Sequence, residues 1–215
     1  MTKRLEKIPT PIVHSKVQGA IGFPAGNNFT NPERIAFNID HAPRTREPLP
    51  LIMGVDPGLG GAIAFYNHKT KLIDSIFDMP LLKPPKIDLK RNAKPPKAKI
   101  DIFTLSNIIG AKALLTEFCI IEEVGTRPDQ GIVSAFTFGY VTGLVTGVVG
   151  ANTIPTYLVK PAIWKALTHL SYDKRLSIMK AQELFPGIEL GKTQKHKADR
   201  AEAAILAWFG TRYLK

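Results

Sequence analysis

The sequence predicts an α/β fold in which helices cover a mixed, five-stranded sheet. Three short apolar runs follow one another with only tight turns between them, which is typical of an antiparallel meander. Two further short apolar runs alternate with segments of helical periodicity, giving the order βββ-α-β-α-β-α. A meander followed by α-β alternation requires a sheet that is part antiparallel and part parallel, with helices on its faces.

Each predicted strand is an apolar run bounded by turn residues. The first climbs to Asp56 and ends at a Pro-Gly turn, and the second opens after Gly60 and Gly61. Asn67 begins a hairpin turn that leads into the third strand. The five strands are predicted at 50–56, 61–67, 71–78, 118–124 and 153–158.

The predicted helices show apolar residues at helical spacing or a favourable first turn. One of them carries Gly139, Gly143 and Gly147 four residues apart, a smooth face suited to close packing on a sheet or a partner helix. Phe136 and Phe138 are interpreted as core residues. The helices are predicted at 101–117, 132–149, 161–167, 173–185 and 196–213.

Residues 130–159 contain no charged side chain, a length that could span a bilayer. Polar residues interrupt the stretch, and Gly150 begins a break in its middle. We therefore interpret it as a buried helix followed by a buried strand, and we expect no membrane partner.

Two regions of different character divide the chain. Residues 1–49 lack sustained periodicity and are interpreted as a loosely structured N-terminal arm, whereas 50–215 form the folded domain.

Cys119, the one cysteine, excludes an internal disulfide and is expected to be buried. The charged N-terminus has no apolar stretch behind it, so no signal peptide is visible. These features fit the cytoplasm or another reducing compartment.

Net charge is +11, from 29 basic and 18 acidic residues, which favours a polyanionic partner, nucleic acid before acidic membrane. A solvated basic surface is the alternative. Segment 80–99 has seven basic residues, one acidic residue and five prolines, so we predict a basic loop that contacts phosphates. The candidate DNA-binding residues of the loops are Lys83, Lys86, Lys90, Arg91, Lys94 and, in the loop 125–131, Arg127.

Acidic residues end three of the predicted elements. Asp56 ends the first strand, and Glu122 or Glu123 ends the strand that should lie beside it. Asp199 and Glu202 are three residues apart on one face of the last helix. Together such carboxylates would repel one another strongly unless cations were present. Each acid also has an explanation without a metal. Asp56 could simply begin a turn, and Asp199 and Glu202 could simply be acids near the start of a helix, which the helix dipole favours.

Hard oxygen ligands of this kind suit Mg²⁺ or Mn²⁺. Two such ions can activate a water and stabilise the leaving oxygen of a phosphodiester. An acidic centre within a basic chain therefore predicts hydrolysis of nucleic acid.

Three strings, in order and spacing, resemble the RuvC-type Holliday junction resolvases, and their divergent phage, bacterial and organellar members above all. They are I-M-G-V-D-P-G at 52–58, I-I-E-E-V at 120–124 and D-R-A-E-A-A-I-L-A at 199–207. The resemblance covers residues 50–213. It implies an RNase H-like fold, a homodimer in a DNA-containing compartment, and Mg²⁺-dependent paired nicking of four-way DNA junctions.

Matched residue by residue, the resemblance implies that Asp56, Glu122, Asp199 and Glu202 hold two Mg²⁺ ions per active site, for which Mn²⁺ substitutes. Glu202 stands where the family more often has Asp. The string P-A-I-W-K resembles a family segment with a basic residue near the scissile phosphate, which implies a catalytic and DNA-binding role for Lys165. Y-D-K-R resembles a second basic segment, and it implies that Lys174 binds DNA. A solvated helix lysine is the alternative for both.

One departure from the family concerns the junction core. Gly125 follows the I-E-x-V pattern, where well-known bacterial members carry an aromatic residue that stacks on an opened base. The sequence preference is therefore left open, as is any helicase partner. Two alternatives also stay open: a less selective flap or fork endonuclease, and a non-catalytic junction-binding protein.

Overall fold

The computed structural model describes residues 49–82, 98–123, 125 and 131–213. Its strands are β1 (Leu51–Asp56), β2 (Ala62–Asn67), β3 (Leu72–Asp78), β4 (Leu81–Leu82), β5 (Lys99–Ile100), β6 (Thr116–Glu122) and β7 (Thr156–Val159). Its helices are α1 (Ile102–Gly110), α2 (Ile132–Ala151), α3 (Pro161–Leu167), α4 (Lys174–Leu184) and α5 (Gln194–Tyr213), with a 3₁₀ turn at Ala113–Leu115.

The main sheet has five strands in the order β3-β2-β1-β6-β7. The first three form an antiparallel meander, while β1, β6 and β7 run parallel to one another. This is the five-stranded mixed sheet that the sequence predicts, so the predicted α/β fold class is confirmed. The predicted strand 153–158 begins later, because Thr153 adopts a left-handed backbone conformation in the turn after α2.

Helices cover both faces of the sheet, and each face has its own core. On one face α3, α4 and α5 pack over the even-numbered positions of the central strands, including Ala62, Ala64 and Ile120. On the other face α1 and α2 pack over the odd-numbered positions, including Met53, Val55 and Ile121. The period of two along the strands therefore decides which helix layer each side chain meets.

Helix α5 lies directly on the backbone of β1. A Cβ atom at Gly54 would be 2.2 Å from the carbonyl oxygen of Ala203 and 2.4 Å from the amide nitrogen of Ala207. Only glycine fits so close an approach. Ala198 and Ala201 on the same helix are buried as well, so small side chains hold α5 against the sheet.

The turn between β1 and β2 is equally tight. The Gly61 amide donates to the Gly58 carbonyl at 2.9 Å, and a Cβ at Gly61 would be 2.0 Å from the Asp56 carbonyl oxygen. The Gly58 amide faces the Asp56 carboxylate at 3.4 Å. This Pro-Gly turn thus fixes Asp56 where β1 leaves the sheet.

The prediction of a helix over 101–117 is wrong in its second half. Helix α1 ends at Gly110, and β6 begins at Thr116 rather than at 118. Leu114, which is 89% exposed, and its neighbour Leu115 continue the apolar pattern without packing on the core. The chain must turn here to enter β6, and the Thr116 hydroxyl closes that turn by donating to the Lys112 carbonyl at 2.8 Å.

The interpretation of α2 as a buried helix is also wrong for the chain as described. Only a stripe at every fourth residue is buried, namely Val141, Val145 and Val149. Phe136 is 74% exposed, and Phe138 is exposed as well, so neither belongs to the core. By length and composition alone, α2 is apolar enough to cross a bilayer.

The predicted basic loop 80–99 has a short stem. Strands β4 and β5 pair antiparallel, with Leu81 opposite Ile100 and Leu82 opposite Lys99, so both ends of the segment meet. The 83–97 portion between them lies outside the described residues, as do most of the proposed N-terminal arm and Arg127.

Candidate metal centre

Two carboxylates leave the sheet side by side, as the sequence predicts. Strands β1 and β6 are parallel neighbours, and Val55 pairs with Ile121. The residues that follow, Asp56 and Glu122, therefore lie at the same end of adjacent strands. Glu122 is the last residue of β6, and its charge raises the pKa of Asp56, so this acid lies near the centre.

Helix α5 adds a second pair of acids from above. Asp199 and Glu202 lie one turn apart, and both are buried. One carboxylate oxygen from each of Asp56, Asp199 and Glu202 lies within 4.8 Å of the others. The structure thus brings three of the four predicted ligands into one group, and Glu122 lies beside it.

Two lysines compensate part of this negative charge. The Lys165 ammonium lies 2.5 Å from Glu202 Oε1, and Lys165 is only 6% exposed. Lys174 contacts Asp199 Oδ1, and its ammonium lies 4.0 Å from Glu202 Oε2, yet half of its side chain is exposed. Lys165 therefore faces the carboxylates, whereas Lys174 reaches from them towards solvent.

Two further side chains hold these acids and were missed by sequence reasoning. The indole N–H of Trp164 donates to Glu122 Oε2 at 2.9 Å, and the Ser177 hydroxyl donates to Glu202 Oε1 at 3.1 Å. Trp164 stands next to Lys165 in the string P-A-I-W-K. A buried tryptophan needs a partner for its N–H, and this need was the available signal.

Burial and mutual repulsion shift the acids towards their protonated forms. Burial first, and then the charges of Glu122, Glu202 and Asp199, raise the pKa of Asp56 to about 7, against the opposing effect of Lys174. Burial also raises the pKa of Glu122, which the indole N–H of Trp164 opposes. For Lys174, burial disfavours the charge, but the hydrogen bond to Asp199 and the nearby acids outweigh it and raise the pKa.

The stability of the metal-free protein should fall as pH rises from 5 to 8. The pKa of Asp56 is about 7 in the folded protein, whereas an aspartate in the unfolded chain has a pKa near 3.8, so the folded state binds more protons within this window. Stability therefore drops with increasing pH, by about 2 kcal/mol from this group. Denaturant unfolding in EDTA at several pH values measures it. Asp56→Asn should lose this part of the pH dependence, so the difference in the free energy of unfolding between wild type and the variant should change between pH 5 and pH 8. Parallel pH profiles of the two proteins would contradict the assignment.

The residues present fit a divalent cation. Four carboxylates face two ammonium groups, so fully ionised acids exceed their lysine partners by two charges. The donors are all carboxylate oxygens, which suit Mg²⁺ and Mn²⁺. The excess charge and the raised pKa of Asp56 both indicate an acid cluster that a cation would stabilise.

A cleft of about 500 Å³ opens above these acids. Asp56, Asp199 and Lys174 line one part of it, and the first half of α2 lines another. Lys195, also missed by the sequence reasoning, lines the cleft one turn before Asp199, and its ammonium would lie 2.9 Å from a Cβ at Gly60. The spacing of four residues from Lys195 to Asp199 was the signal. Ala98, which follows the 83–97 portion of the basic loop, lines the same cleft.

The remaining predicted DNA contacts lie outside the described residues. Their structural placement stays a prediction for Lys83, Lys86, Lys90, Arg91, Lys94 and Arg127.

Comparison with solved structures finds proteins that are similar to this chain. T. thermophilus RuvC in complex with a Holliday junction substrate is 15% identical, with a TM-score of 0.47 over 75% of this chain and 94% of that one. A second Thermus thermophilus RuvC structure is 17% identical, with a TM-score of 0.41 over 75% and 95% of the two chains. The yeast mitochondrial Holliday junction resolvase Ydc2 is 13% identical, with a TM-score of 0.42 over 78% and 81%.

No family model matches the chain, and no curated protein matches it. Solved structures of RuvC-type resolvases are thus among the proteins to which the chain is similar.

Proposed function

We propose that this chain is a metal-dependent endonuclease of branched DNA, and specifically a Holliday junction resolvase that makes paired, symmetric nicks in four-way junctions. The observation that carries the proposal is the group of converging carboxylates at the base of a cleft that lysines also line. An acid group of this kind suits metal-assisted phosphodiester hydrolysis. The chain carries a net charge of +11 despite this acid group, so basic residues outside the group are available to bind a DNA backbone.

In this proposal Asp56, Glu122, Asp199 and Glu202 hold two Mg²⁺ ions, and Mn²⁺ can replace them. When bound, the ions supply an activated water and stabilise the leaving oxygen. Lys165 orients Glu202 through the contact of 2.5 Å between its ammonium and Glu202 Oε1. The reaction is direct hydrolysis with no covalent protein intermediate.

Lys174 and Lys195 have a separate role, because both line the cleft with exposed side chains. Their role in this proposal is to neutralise phosphates of the bound DNA. Strands β4 and β5 flank the basic segment 83–97, and Ala98, next to β5, lines the cleft. We propose that the lysines of this segment and Arg91 also bind DNA.

Lys195→Ala should weaken binding of a four-way junction about 3- to 10-fold near 0.1 M salt, because one phosphate contact is lost. The slope of log K against log salt should become shallower by about 1. Fluorescence anisotropy in EDTA measures both quantities. Lys69→Ala is the control, since the β2–β3 hairpin lies at the opposite end of the strands from Asp56. Equal salt slopes for Lys195→Ala and wild type would remove Lys195 from the DNA contacts.

Symmetric resolution requires two active sites related by a two-fold axis, so we propose a homodimer. Helix α2 is the proposed interface: among the described residues nothing lies within 4 Å of a Cβ at Gly139, Gly143 or Gly147. Large apolar side chains on the same helix, including Phe136, are exposed. A partner helix could approach closely along this glycine face.

Gly143→Glu should convert a dimer into a monomer without unfolding it, because the new side chain has open space in the single chain. Sedimentation velocity near 10 µM protein would measure the change, at a concentration where a stable interface is populated. Leu114→Glu is the matched control, since it places the same charge at an exposed apolar position outside α2. A wild-type chain that stays monomeric even with a junction bound would contradict the dimer.

Selectivity is tested by comparing equal amounts of four-way, three-way and flap DNA under single-turnover conditions. A resolvase should nick the four-way junction at symmetric positions, at least about tenfold faster than flaps, a difference of about 1.4 kcal/mol in the barrier. Equal rates on all three would favour the less selective branched-DNA endonuclease. Tight junction binding with no cleavage in Mg²⁺ or Mn²⁺ would leave only a binding protein.

A further inference from the structure

Trp164 connects two of the proposed active-site groups, and it is itself completely buried. On one edge of the ring, the indole N–H donates to Glu122 Oε2 at 2.9 Å. This bond joins α3 to the end of β6 across 42 residues of sequence. It satisfies a buried donor and fixes one oxygen of a carboxylate that the proposed metal centre uses.

The face of the same ring contacts the neighbouring lysine. The Lys165 ammonium lies 4.3 Å from the centroid of the Trp164 ring and 2.5 Å from Glu202 Oε1. An ammonium over an indole face is stabilised by the ring quadrupole, more strongly when it is desolvated. The ring therefore supports the cation that in turn orients Glu202.

The ring is held in place by its surroundings. Trp164 belongs to the core cluster that contains Ala198 and Ala201 of α5 and Ile178 of α4. The Thr168 hydroxyl donates to the Trp164 carbonyl at 2.7 Å and closes the end of α3. A side chain fixed this firmly can hold its partners in one geometry.

We propose that Trp164 is a positioning residue of the active site, which fixes Glu122 through its indole N–H and Lys165 through its ring face. The inference rests on the proposed function, because it assigns Glu122 and Glu202 to the metal centre. Mutation of a side chain that hydrogen-bonds to a metal ligand commonly lowers metal affinity or activity by about 10- to 100-fold. Trp164 is thereby distinguished from a tryptophan that only fills the core.

Trp164→Phe tests the positioning role against a role that only fills the core, since it removes the N–H and keeps an aromatic ring. The dissociation constant for Mn²⁺, measured by calorimetry without DNA, should rise about 10- to 100-fold. The kcat for junction nicking should fall by a similar factor, whereas the KM for the junction should stay within about threefold, since the cleft lysines are unchanged. Trp208→Phe makes the same chemical change at the chain's other tryptophan, which stacks near Arg212, and should alter none of these values.

A spectroscopic measurement tests the positioning role even if Trp164→Phe does not fold. In the Trp208→Phe protein, Trp164 is the one tryptophan left. Its fluorescence should be quenched saturably by Mn²⁺, with the same midpoint as the calorimetric dissociation constant, and Glu122→Gln should move that midpoint to at least tenfold higher Mn²⁺.

The inference and the proposed function fail in different ways. Wild-type protein that binds no Mn²⁺ would contradict the proposed metal centre itself. Mn²⁺ binding with no change in Trp164 emission would overturn only the positioning role. A folded Trp164→Phe protein that keeps the wild-type Mn²⁺ affinity and kcat would likewise overturn the positioning role and leave the metal centre standing.

Discussion

Asp56→Asn should abolish Mg²⁺-dependent nicking, with a loss of at least about 10³-fold, or about 4 kcal/mol in the barrier. Asp56 ends β1, where the charges of Glu122, Glu202 and Asp199 raise its pKa. The amide keeps the size of the side chain, but it removes one negative charge and one anionic ligand. The centre should therefore lose its affinity for a divalent cation.

Junction binding should survive this substitution. The phosphate-contacting side chains proposed here, Lys174 and Lys195, lie around the acids and are unchanged. One negative charge fewer in the cleft would, if anything, favour a polyanion. We expect a dissociation constant in EDTA within about threefold of wild type, or tighter.

The matched control is Asp74→Asn, the same change at an acid on β3 whose partner is Lys112 at 2.7 Å. It should nick like wild type in a single-turnover assay with labelled junction. Cleavage by Asp56→Asn within about tenfold of wild type would contradict the role of Asp56 as a ligand.

Gly54→Ala should lower the free energy of unfolding by about 3 kcal/mol or more, a large effect for one methyl group. The new Cβ would be 2.2 Å from the Ala203 carbonyl oxygen and 2.4 Å from the Ala207 amide nitrogen. Both are backbone atoms, so no side-chain rotation can relieve the overlap, and α5 must move away from β1. Because α5 carries Asp199 and Glu202, the movement should also weaken binding of Mn²⁺.

Denaturant unfolding measures the stability change, with Gly150→Ala as the control. Nothing among the described residues lies within 4 Å of a Cβ at Gly150, which is in helix α2. Alanine there should be neutral or stabilise the protein by up to about 1 kcal/mol. A Gly54→Ala protein as stable as wild type would show that α5 does not lie on the backbone of β1.

The parts of the site that depend on local pattern could be predicted from the sequence. The end of the first strand identifies Asp56, and the end of its neighbour leaves Glu122 or Glu123, between which the family resemblance selects Glu122. The pairing of β1 with β6 follows from the element order. The spacing of Asp199 and Glu202 places both on one face of α5, and the alanines around them explain how that face approaches the sheet. Period and residue size are enough for these conclusions.

Other parts depend on contacts that no local pattern encodes. The bond from Trp164 to Glu122 spans 42 residues and exists only because of how α3 packs behind the sheet. The burial of Lys165 follows from the same packing, so its string indicated a lysine near phosphate but not a buried lysine paired with Glu202.

The prediction that helix α2 is buried was wrong for a different reason. An uncharged, apolar helix is expected to be buried, but among the described residues only the stripe of Val141, Val145 and Val149 is covered. An apolar composition indicates that a helix surface packs against another surface. It does not indicate whether that second surface belongs to the same chain.

The most direct test of the proposed metal-dependent nuclease is incubation of the purified protein with a labelled, immobile four-way junction in Mg²⁺ or in EDTA. Strand-specific labels on all four arms would locate every nick. The proposal predicts nicks at symmetric positions on two opposing strands in Mg²⁺ and none in EDTA. Junction that is bound but stays intact in both Mg²⁺ and Mn²⁺ would contradict it.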